Sequence, residues 1–241
     1  MNKTVLVTGG SRGIGKSISE IFASNNYNVV INYKSDDMAA NKLKEKLEHI
    51  YQIKVLLCKC DISCEKDVKN MFNKIKETFG NLDTIINNAG IAIDQILEDK
   101  TAIEFNEVLN TNLVGPFLII KYGSKLMTKG SIINITSTNG IDTEYIESID
   151  YDASKAALIS LTRNFANTLA PNIRVNAIAP GWVNTEMNKN LDIEFLDEEN
   201  KKILLGRFAE PEEIAKVAYF LTTDDASYIN KTVIRVDGGW F

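Results

Sequence analysis

Short hydrophobic runs recur along the chain, and each is rich in β-branched residues. The runs are almost entirely apolar instead of alternating with polar positions, which is typical of parallel strands covered on both faces. They span residues 5–7, 29–31, 55–60, 84–86, 132–135, 174–179 and 233–236. The pattern therefore predicts a parallel sheet of about seven strands.

Between these runs, hydrophobic residues recur every three or four positions, as they do in helices with one buried face. The helical periods fall at residues 14–21, 40–50, 68–79, 105–117, 158–165 and 214–221. Pro171 is placed to end the helix before the sixth strand, and Pro211 to begin the last helix. This alternation predicts the α/β class, as a single-domain Rossmann fold with a doubly wound parallel sheet.

One stretch interrupts the alternation. Residues 184–206 are polar, acidic and long for a connection between a strand and the last helix. Connections of that length are usually lids or substrate loops. Because no linker rich in proline or glycine divides the sequence, residues 1–241 are predicted to form one domain with a substrate lid at about 184–206.

Composition and charge narrow the class of protein. The chain has 241 residues, 44% of them hydrophobic and 24% charged, which is enough to form a sizeable core. A net charge of −5 argues against a broad surface for nucleic acid or anionic lipid. The first apolar run is too short for a signal peptide, and no apolar stretch reaches membrane-spanning length. A cytoplasmic protein that binds neither nucleic acid nor membrane is expected.

The cysteines and the single histidine limit the possible chemistry. Cys58, Cys60 and Cys64 lie close together, but a zinc site needs a fourth ligand and the one histidine is His49. Cys58 and Cys60 are therefore predicted to be apolar residues of a buried strand in a reducing compartment, with no metal bound. His49, in a helix-to-strand connection, also leaves a Ser-His-Asp mechanism without a good base.

A glycine-rich turn joins the first strand to the first helix. The sequence "VLVTGGSRGIG" has glycines at positions 9, 10, 13 and 15. Without Cβ atoms, such a turn lets a pyrophosphate approach the amides of the helix N-terminus. The strand-turn-helix context predicts a dinucleotide site. The residues expected to contact the cofactor here are Gly9, Ser11, Arg12, Gly13, Ile14 and Gly15.

The spacing Gly9-x-x-x-Gly13-x-Gly15 resembles that of the short-chain dehydrogenase/reductase family. The resemblance continues in "CDIS", "NNAG", "NTN", "ITS", "YDASK" and "APGWVNTEM" along nearly the whole chain. Within the family, "NNAGIAIDQIL", "LLGRFAEPEEIAKVAYFLTTDDASYI" and "VDGGW" are most similar to the 3-oxoacyl-acyl-carrier-protein reductases. The resemblance implies an NADP-dependent oxidoreductase of C=O and CH–OH groups, namely an NADPH-dependent reductase of 3-oxoacyl thioesters in fatty acid biosynthesis.

Four residues match the catalytic positions of the family: Asn112, Ser137, Tyr151 and Lys155. Tyr151 can supply the proton that carbonyl reduction requires, although its ordinary pKa is about 10. Lys155 lies on the same helix face, and its charge together with that of the oxidised cofactor is expected to lower the pKa of Tyr151. Ser137 would hydrogen-bond the substrate oxygen. In the family, Asn112 supports Lys155 through a water molecule.

The identity of the nicotinamide cofactor depends on the end of the second strand. Enzymes that bind NAD place an acid there, whereas this chain has Tyr33, followed by Lys34 and Ser35. Arg12 and Lys34 could pair with a 2′-phosphate, so NADP(H) is favoured, while the two acids that follow keep NAD(H) open. The remaining contacts that the resemblance implies are Asp61, Ile62, Asn88, Ala89, Gly90, Tyr151, Lys155, Pro180, Gly181, Val183 and Thr185.

Acidic residues near the predicted active site affect which class of substrate the protein is expected to accept. They precede the tyrosine of "YDASK" as Asp142, Glu144, Glu147 and Asp150, and the lid is acid-rich at 192–199. An acidic acyl-carrier protein needs basic docking groups near the active site, and Lys129 is one, but Asn167 stands where those reductases have a basic residue. A carrier-protein partner thus stays open. The alternatives are a reductase or dehydrogenase of a free ketone, sugar or polyol, and a nucleotide-binding regulator without turnover.

The resemblance also implies self-association. In the family, the helices that carry the equivalents of Asn112 and Tyr151 pair across dimers, which usually assemble into tetramers. The C-terminal sequence "VDGGWF" ends in aromatic residues that could reach a neighbouring subunit. A homotetramer built as a dimer of dimers is therefore expected.

Overall fold

The computed structural model describes residues 2–188 and 191–241 and contains the predicted parallel sheet. Its strands are β1 (Thr4–Val7), β2 (Asn28–Tyr33), β3 (Val55–Lys59), β4 (Thr84–Asn87), β5 (Gly130–Ile135), β6 (Ile173–Pro180) and β7 (Val233–Val236). Neighbouring strands pair in parallel in the order β3-β2-β1-β4-β5-β6-β7. The order reverses between β1 and β4, and this opens a crevice at the carboxyl ends of those strands.

Helices cover both faces of the sheet. They are α1 (Gly13–Ser24), α2 (Asp37–Tyr51), α3 (Glu65–Phe79), α4 (Ala102–Leu109), α5 (Gly115–Gly123), α6 (Ile149–Leu169), α7 (Ile193–Lys201) and α8 (Pro211–Phe220). Successive strand side chains point to opposite faces. Val5 and Val7 therefore join the hydrophobic cluster under α1, α2 and α8, whereas Leu6 joins the cluster under α3, α5 and α6. The predicted doubly wound Rossmann fold is confirmed.

Two segments depart from the sequence pattern. The helical period over residues 105–117 is divided into α4 and α5 by a π-helical turn, Asn110–Val114. The predicted lid contains α7, where the carboxylate of Asp192 accepts a hydrogen bond from the backbone N–H of Phe195 at 2.7 Å. A capped helix thus forms in a segment whose polarity suggested a loop. Two residues of the predicted lid, Lys189 and Asn190, lie outside the described residues.

Pro171 and Pro211 lie where the sequence predicts a helix boundary. Pro171 follows the end of α6, and Pro211 is the first residue of α8. A proline at the first helical position is favourable because its missing N–H would have no partner inside the helix. Within residues 2–188 and 191–241, no helix combines the length and the hydrophobicity needed to cross a membrane.

Candidate active site

Tyr151 and Lys155 lie one turn apart near the start of α6. The Nζ atom of Lys155 is 5.3 Å from the centre of the Tyr151 ring. It donates a hydrogen bond of 3.0 Å to the carbonyl of Ile135, the last residue of β5. Because Ser137 follows two residues later, the helix and the strand end bring three of the predicted catalytic residues to one place.

Asn112 reaches the same place from the π-helical turn and is fully buried. Its side chain accepts from the N–H of Ile91 at 2.9 Å and donates to the carbonyl of Ile91 at 2.8 Å and to the hydroxyl of Ser154 at 3.1 Å. A Cβ atom on Gly90 would lie 3.3 Å from Asn112 Oδ1 and 3.4 Å from Lys155 Nζ. All four predicted catalytic residues therefore converge.

Ser137 is held by a short loop that packs tightly on α6. Its hydroxyl donates to Asn139 Oδ1 at 3.0 Å and accepts from the backbone N–H of Asn139 at 3.3 Å. A Cβ atom on Gly140 would lie 2.6 Å from the carbonyl carbon of Lys155 and 2.7 Å from the nitrogen of Ala156. Glycine is therefore required for this loop to place the serine beside the catalytic helix.

Burial sets the protonation of this site in the protein alone. It raises the pKa of Tyr151 to about 12, with Asp152 and Asp94 adding to the rise and the nearby Ser137 hydroxyl opposing it. Burial also lowers the pKa of Lys155 to about 8. Desolvation of the phenolate thus dominates the pKa of Tyr151 in the protein alone, and the lowering expected from Lys155 together with the oxidised cofactor stays a prediction. At neutral pH the tyrosine retains the proton that carbonyl reduction consumes.

The glycine turn has the backbone that a pyrophosphate requires. Gly9 and Gly13 have φ angles of +60° and +51°, which disfavour residues with a Cβ atom. A Cβ atom on Gly15 would lie 2.2 Å from the carbonyl oxygen of Gly9. The hydroxyl of Thr8 accepts from the N–H groups of Asn88 and Ala89, so the turn and "NNAG" meet at the crevice. This open, backbone-lined cradle fits a dinucleotide.

A second cleft lies beside the turn after β2. It has a volume of about 540 Å³, and Lys34, Asp61 and Ser63 line one side of it. Lys34 Nζ lies 2.8 Å from Asp61 Oδ2. The Tyr33 side chain is buried and donates to Asp37, so its hydroxyl points toward α2.

The other predicted cofactor residues border the same crevice or the adjoining turn. Arg12 is exposed just before α1, Ser11 is buried beside it, and Thr185 lies 3.6 Å from a Cβ atom placed on Gly13. Ser35 is exposed, while Ile62 is buried against Gly115. At the carboxyl end of β6 the chain supplies Pro180, Gly181 and the buried Val183, and at the first helix turn it supplies Ile14.

Two of the acids expected to face an approaching partner have ion-pair partners within the chain, one of them buried and the other exposed. Asp150 is fully buried, where it pairs with Lys100 at 2.9 Å and accepts from the N–H of Tyr151. Asp142 pairs with Arg235 at 2.6 Å. The expectation that Asp150 faces an approaching partner is therefore wrong. The sequence could not reveal its partner, because the two residues are far apart in the chain.

A buried carboxylate on α7 was also missed. Glu199 accepts hydrogen bonds from the hydroxyl of Tyr145 at 2.8 Å, from the indole N–H groups of Trp182 at 2.8 Å and Trp240 at 3.2 Å, and from Lys202 at 2.6 Å. These donors hold the pKa of Glu199 below its ordinary value, although burial opposes them. Helix α7 is thus joined to the loop before α6, to the segment after β6 and to the C-terminal segment.

The three cysteines have different surroundings. Cys58 and Cys60 are buried, and desolvation raises the pKa of their thiols to about 11 and about 12. Cys64 is exposed immediately before α3, and His49 is exposed on α2. Among the described residues, no group of three or more His, Cys, Asp or Glu side chains is arranged to hold a metal ion.

Comparisons with known proteins agree with this geometry. A family model described as enoyl-(acyl carrier protein) reductase matches residues 9–241. The chain is 37% identical to the 3-oxoacyl-[acyl-carrier-protein] reductase of Aquifex aeolicus, over 99% of this chain and 97% of that protein. These matches cover the glycine turn and all four residues of the reacting centre.

Two solved structures have the same fold. A short-chain dehydrogenase from Burkholderia cenocepacia in complex with NADP has a TM-score of 0.94 and 29% identity, over 98% of this chain and 97% of that one. The L-sorbose reductase of Gluconobacter frateurii, complexed with NADPH and L-sorbose, has a TM-score of 0.92 and 25% identity, over 99% of this chain and 96% of that one.

Proposed function

Because the chain belongs to the short-chain dehydrogenase/reductase family, whose members are oxidoreductases of C=O and CH–OH groups that use a nicotinamide nucleotide, we propose that it reduces a 3-oxoacyl thioester with NADPH. Tyr151 carries this proposal. It is a phenol that stays protonated well above neutral pH, and it lies beside the buried ammonium of Lys155. A reductase needs such a proton donor at the oxygen that becomes an alcohol.

Each residue of the site has a defined task in this reaction. Bound NADPH would supply the hydride to the carbonyl carbon. The glycine turn and Asn88 would hold the nucleotide, and Lys155 has two N–H groups beyond its bond to Ile135 with which to bind a ribose hydroxyl. Ser137 holds the substrate oxygen, and Tyr151 donates the proton to it. Asn112 holds the backbone of Ile91 and so fixes the wall next to Gly90.

The preference for NADPH is supported by the partners that the two acids after β2 have in the structure. Asp36 accepts a hydrogen bond from the N–H of Ala39 and so caps α2, and Asp37 pairs with Lys59 at 2.6 Å. Both acids that could hold the ribose of NAD(H) thus have other partners. Arg12 and Lys34 are exposed; Arg12 would pair with a 2′-phosphate directly, and Lys34 would do so by exchanging its exposed partner Asp61.

The thioester substrate is supported by the Aquifex relative, by the burial of Asp150 against Lys100, and by the exposed ion pair in which Arg235 offsets the charge of Asp142. The surface that a carrier protein would meet is therefore less negative than the sequence indicates, although Glu144 and Glu147 remain exposed. Reduction of a free ketone or sugar is the second candidate, favoured by the likeness to L-sorbose reductase.

An acceptor screen separates these candidates. Oxidation of NADPH and of NADH would be followed with acetoacetyl-coenzyme A, acetoacetyl-acyl-carrier protein, free 3-oxo acids and ketoses. We expect thioester turnover with NADPH, and turnover of free ketones alone would contradict the thioester proposal. Tight NADPH binding without any turnover would instead indicate a regulator. A Tyr151→Phe variant should bind NADPH normally and lose roughly 10²–10⁴-fold in kcat.

We also infer that residues 184–206 form a substrate lid and that the chain forms a dimer of dimers. The lid is supported by α7, which rests on Trp182 and Tyr145 through Glu199. Association is supported by exposed apolar side chains on α5, such as Phe117, and near the C-terminus, such as Phe241. Trp240, in contrast, donates to Glu199 of its own chain. Light scattering on the purified protein measures the assembly, and a monomer would contradict this inference.

A further inference from the structure

Ser137 and the lid helix are connected through one carboxylate that no catalytic assignment includes. Asp152 follows Tyr151 directly on α6. Its Oδ1 atom accepts from Asn139 Nδ2 at 2.7 Å, and its Oδ2 atom accepts from the backbone N–H of Tyr145 at 3.4 Å. Tyr145 in turn donates its hydroxyl to Glu199 on α7. We propose that Asp152, acting through Asn139, is a positioning residue that fixes the direction of the Ser137 hydroxyl.

The direction follows from the donors and acceptors in the chain of hydrogen bonds. A carboxylate only accepts, so the amide NH₂ of Asn139 must face Asp152. The amide oxygen of Asn139 then faces Ser137, and because that oxygen also only accepts, the serine must donate its single proton to it. Asp152 therefore determines the orientation of a hydroxyl with which it has no direct contact.

This orientation has a consequence for the reaction. While the proton of Ser137 points to Asn139, the serine has only lone pairs left for Tyr151 and for a substrate. A carbonyl oxygen needs donors, so the substrate must draw the serine proton away from Asn139. The alcohol product can instead donate to the lone pair. In the resting site Ser137 can thus accept a proton but has none to donate, and the pair of Asn139 and Asp152 maintains that state.

Asp152 also acts on Tyr151 through its charge. Together with Asp94 from the loop after β4, it raises the pKa of the phenol, while Lys155 on the same helix faces the ring. The pKa of Asp152 is itself raised, first by burial and then by Glu144 and Asp150. Removing the charge at position 152 should therefore let Tyr151 lose its proton at lower pH.

Two variants separate the two effects. Asp152→Asn removes the charge and also frees the orientation of Asn139, because an amide both donates and accepts. Asn139→Ala frees the serine but retains the charge. We expect kcat of ketone reduction to change by roughly 3- to 10-fold in both variants, the effect of one hydrogen bond, with an unchanged KM for NADPH. Only Asp152→Asn should shift the alkaline limb of the pH–rate profile, by roughly 0.5–1 pH unit to lower pH.

A control variant and a titration that needs no turnover complete the test. The inference rests on the proposed roles of Ser137 and Tyr151. Glu147→Gln removes an exposed charge from the same segment and should leave kcat and the alkaline limb unchanged. The tyrosinate absorbance that Tyr151→Phe abolishes can be titrated in the NADP⁺ complex, and Asp152→Asn should move its midpoint to lower pH.

The outcomes distinguish this inference from the proposed substrate. Failure to reduce thioesters would refute only the substrate, since the variants can be compared on any accepted ketone or by the titration. The inference is overturned if Asp152→Asn and Asn139→Ala keep the wild-type kcat and titration midpoint. It is equally overturned if they lose only thermal stability, since that is the result of a purely structural role.

Discussion

Two lysine–carboxylate pairs, one beside Tyr151 and one after β2, have nearly equal distances and different surroundings. Lys100 and Asp150 are 2.9 Å apart, and their side chains are 3% and 0% exposed. Lys34 and Asp61 are 2.8 Å apart, and their side chains are 65% and 29% exposed. Distance alone does not distinguish the two pairs. Their exposure does, because desolvation determines what the loss of one partner costs.

The buried pair is part of the frame of the reacting centre. Lys100 also donates to the carbonyl of Ile93, and Asp150 also accepts from the N–H of Tyr151. The loop after β4 and the start of α6 are thereby joined beside Tyr151. The exposed pair can open at little cost, which leaves Lys34 free to bind a phosphate. The contact beside Tyr151 is thus rigid, whereas the contact between Lys34 and Asp61 is adaptable.

The largest expected effect comes from breaking the buried pair. Lys100→Met leaves the carboxylate of Asp150 buried without its cation and should lower the free energy of unfolding by roughly 3–5 kcal/mol. Chemical denaturation of the apoprotein measures this. The double variant Lys100→Met/Asp150→Asn should recover most of the loss. If the single variant is as stable as the wild type, the two pairs do not differ as described.

A second prediction concerns a buried lysine without a carboxylate partner among the described residues. Lys155 has a folded-state pKa of about 8 because it is buried, below its value in the unfolded chain. Below pH 8 the fold must therefore hold an unfavourable charge, and this cost disappears as the pH rises from about 8 to 10. Lys155→Met should be more stable than the wild type at pH 7, by roughly 1–3 kcal/mol.

Denaturation curves at several pH values check the sign of this effect. The advantage of Lys155→Met should shrink steadily above pH 8, while its activity is lost at every pH. An advantage that is constant with pH would show that packing, not charge, causes it. The contrast with Lys100 is direct, because removal of a paired buried lysine should destabilise the fold and removal of an unpaired one should stabilise it.

The third prediction uses Glu199, a buried acid held mainly by neutral donors. Its pKa is lowered by its hydrogen bonds, so it contributes stability above the pKa of the unfolded chain and loses it as the pH falls through the folded value. Glu199→Gln should cost roughly 1–2 kcal/mol at pH 7, and the difference from the wild type should narrow below about pH 4.5. Thermal melts across this range measure it, and a gap independent of pH would contradict it.

The smallest effect is expected at the exposed pair. Lys34→Met should change the free energy of unfolding by less than about 1 kcal/mol. Its consequence should be seen in binding, as a higher Kd for NADPH and an unchanged Kd for NADH. Fluorescence titrations with both nucleotides at two salt concentrations measure this. Equal losses for both nucleotides would show that Lys34 does not contact the 2′-phosphate.

The sequence predicted those features that depend on neighbouring residues. The strands, the glycine turn and the helix that begins at Pro211 follow from local pattern, and the structure has all of them. The resemblance to the family also predicted that four residues distant in the chain form one site. Asn112, Ser137, Tyr151 and Lys155 do so.

The features that were missed depend on contacts between distant segments. The partner of Asp150 is Lys100, fifty residues earlier, and the partner of Asp142 is Arg235. No local rule distinguishes such acids from solvated ones. Helix α7 was missed for a similar reason. In the sequence Glu199 resembles a surface residue, because its donors Trp182 and Trp240 come from distant segments. The pKa of Tyr151 depends likewise on burial, which spacing does not show.

The unequal exposure of the three thiols makes the protein suitable for site-selective labelling. Thiolates are the reactive form, and the raised pKa values of Cys58 and Cys60 keep these buried groups protonated at neutral pH. Cys64 is exposed, and its backbone N–H donates to the carbonyl of Asp61 at the cleft of Lys34. A maleimide dye should therefore attach at this one site and report nucleotide binding by fluorescence in the unmutated protein.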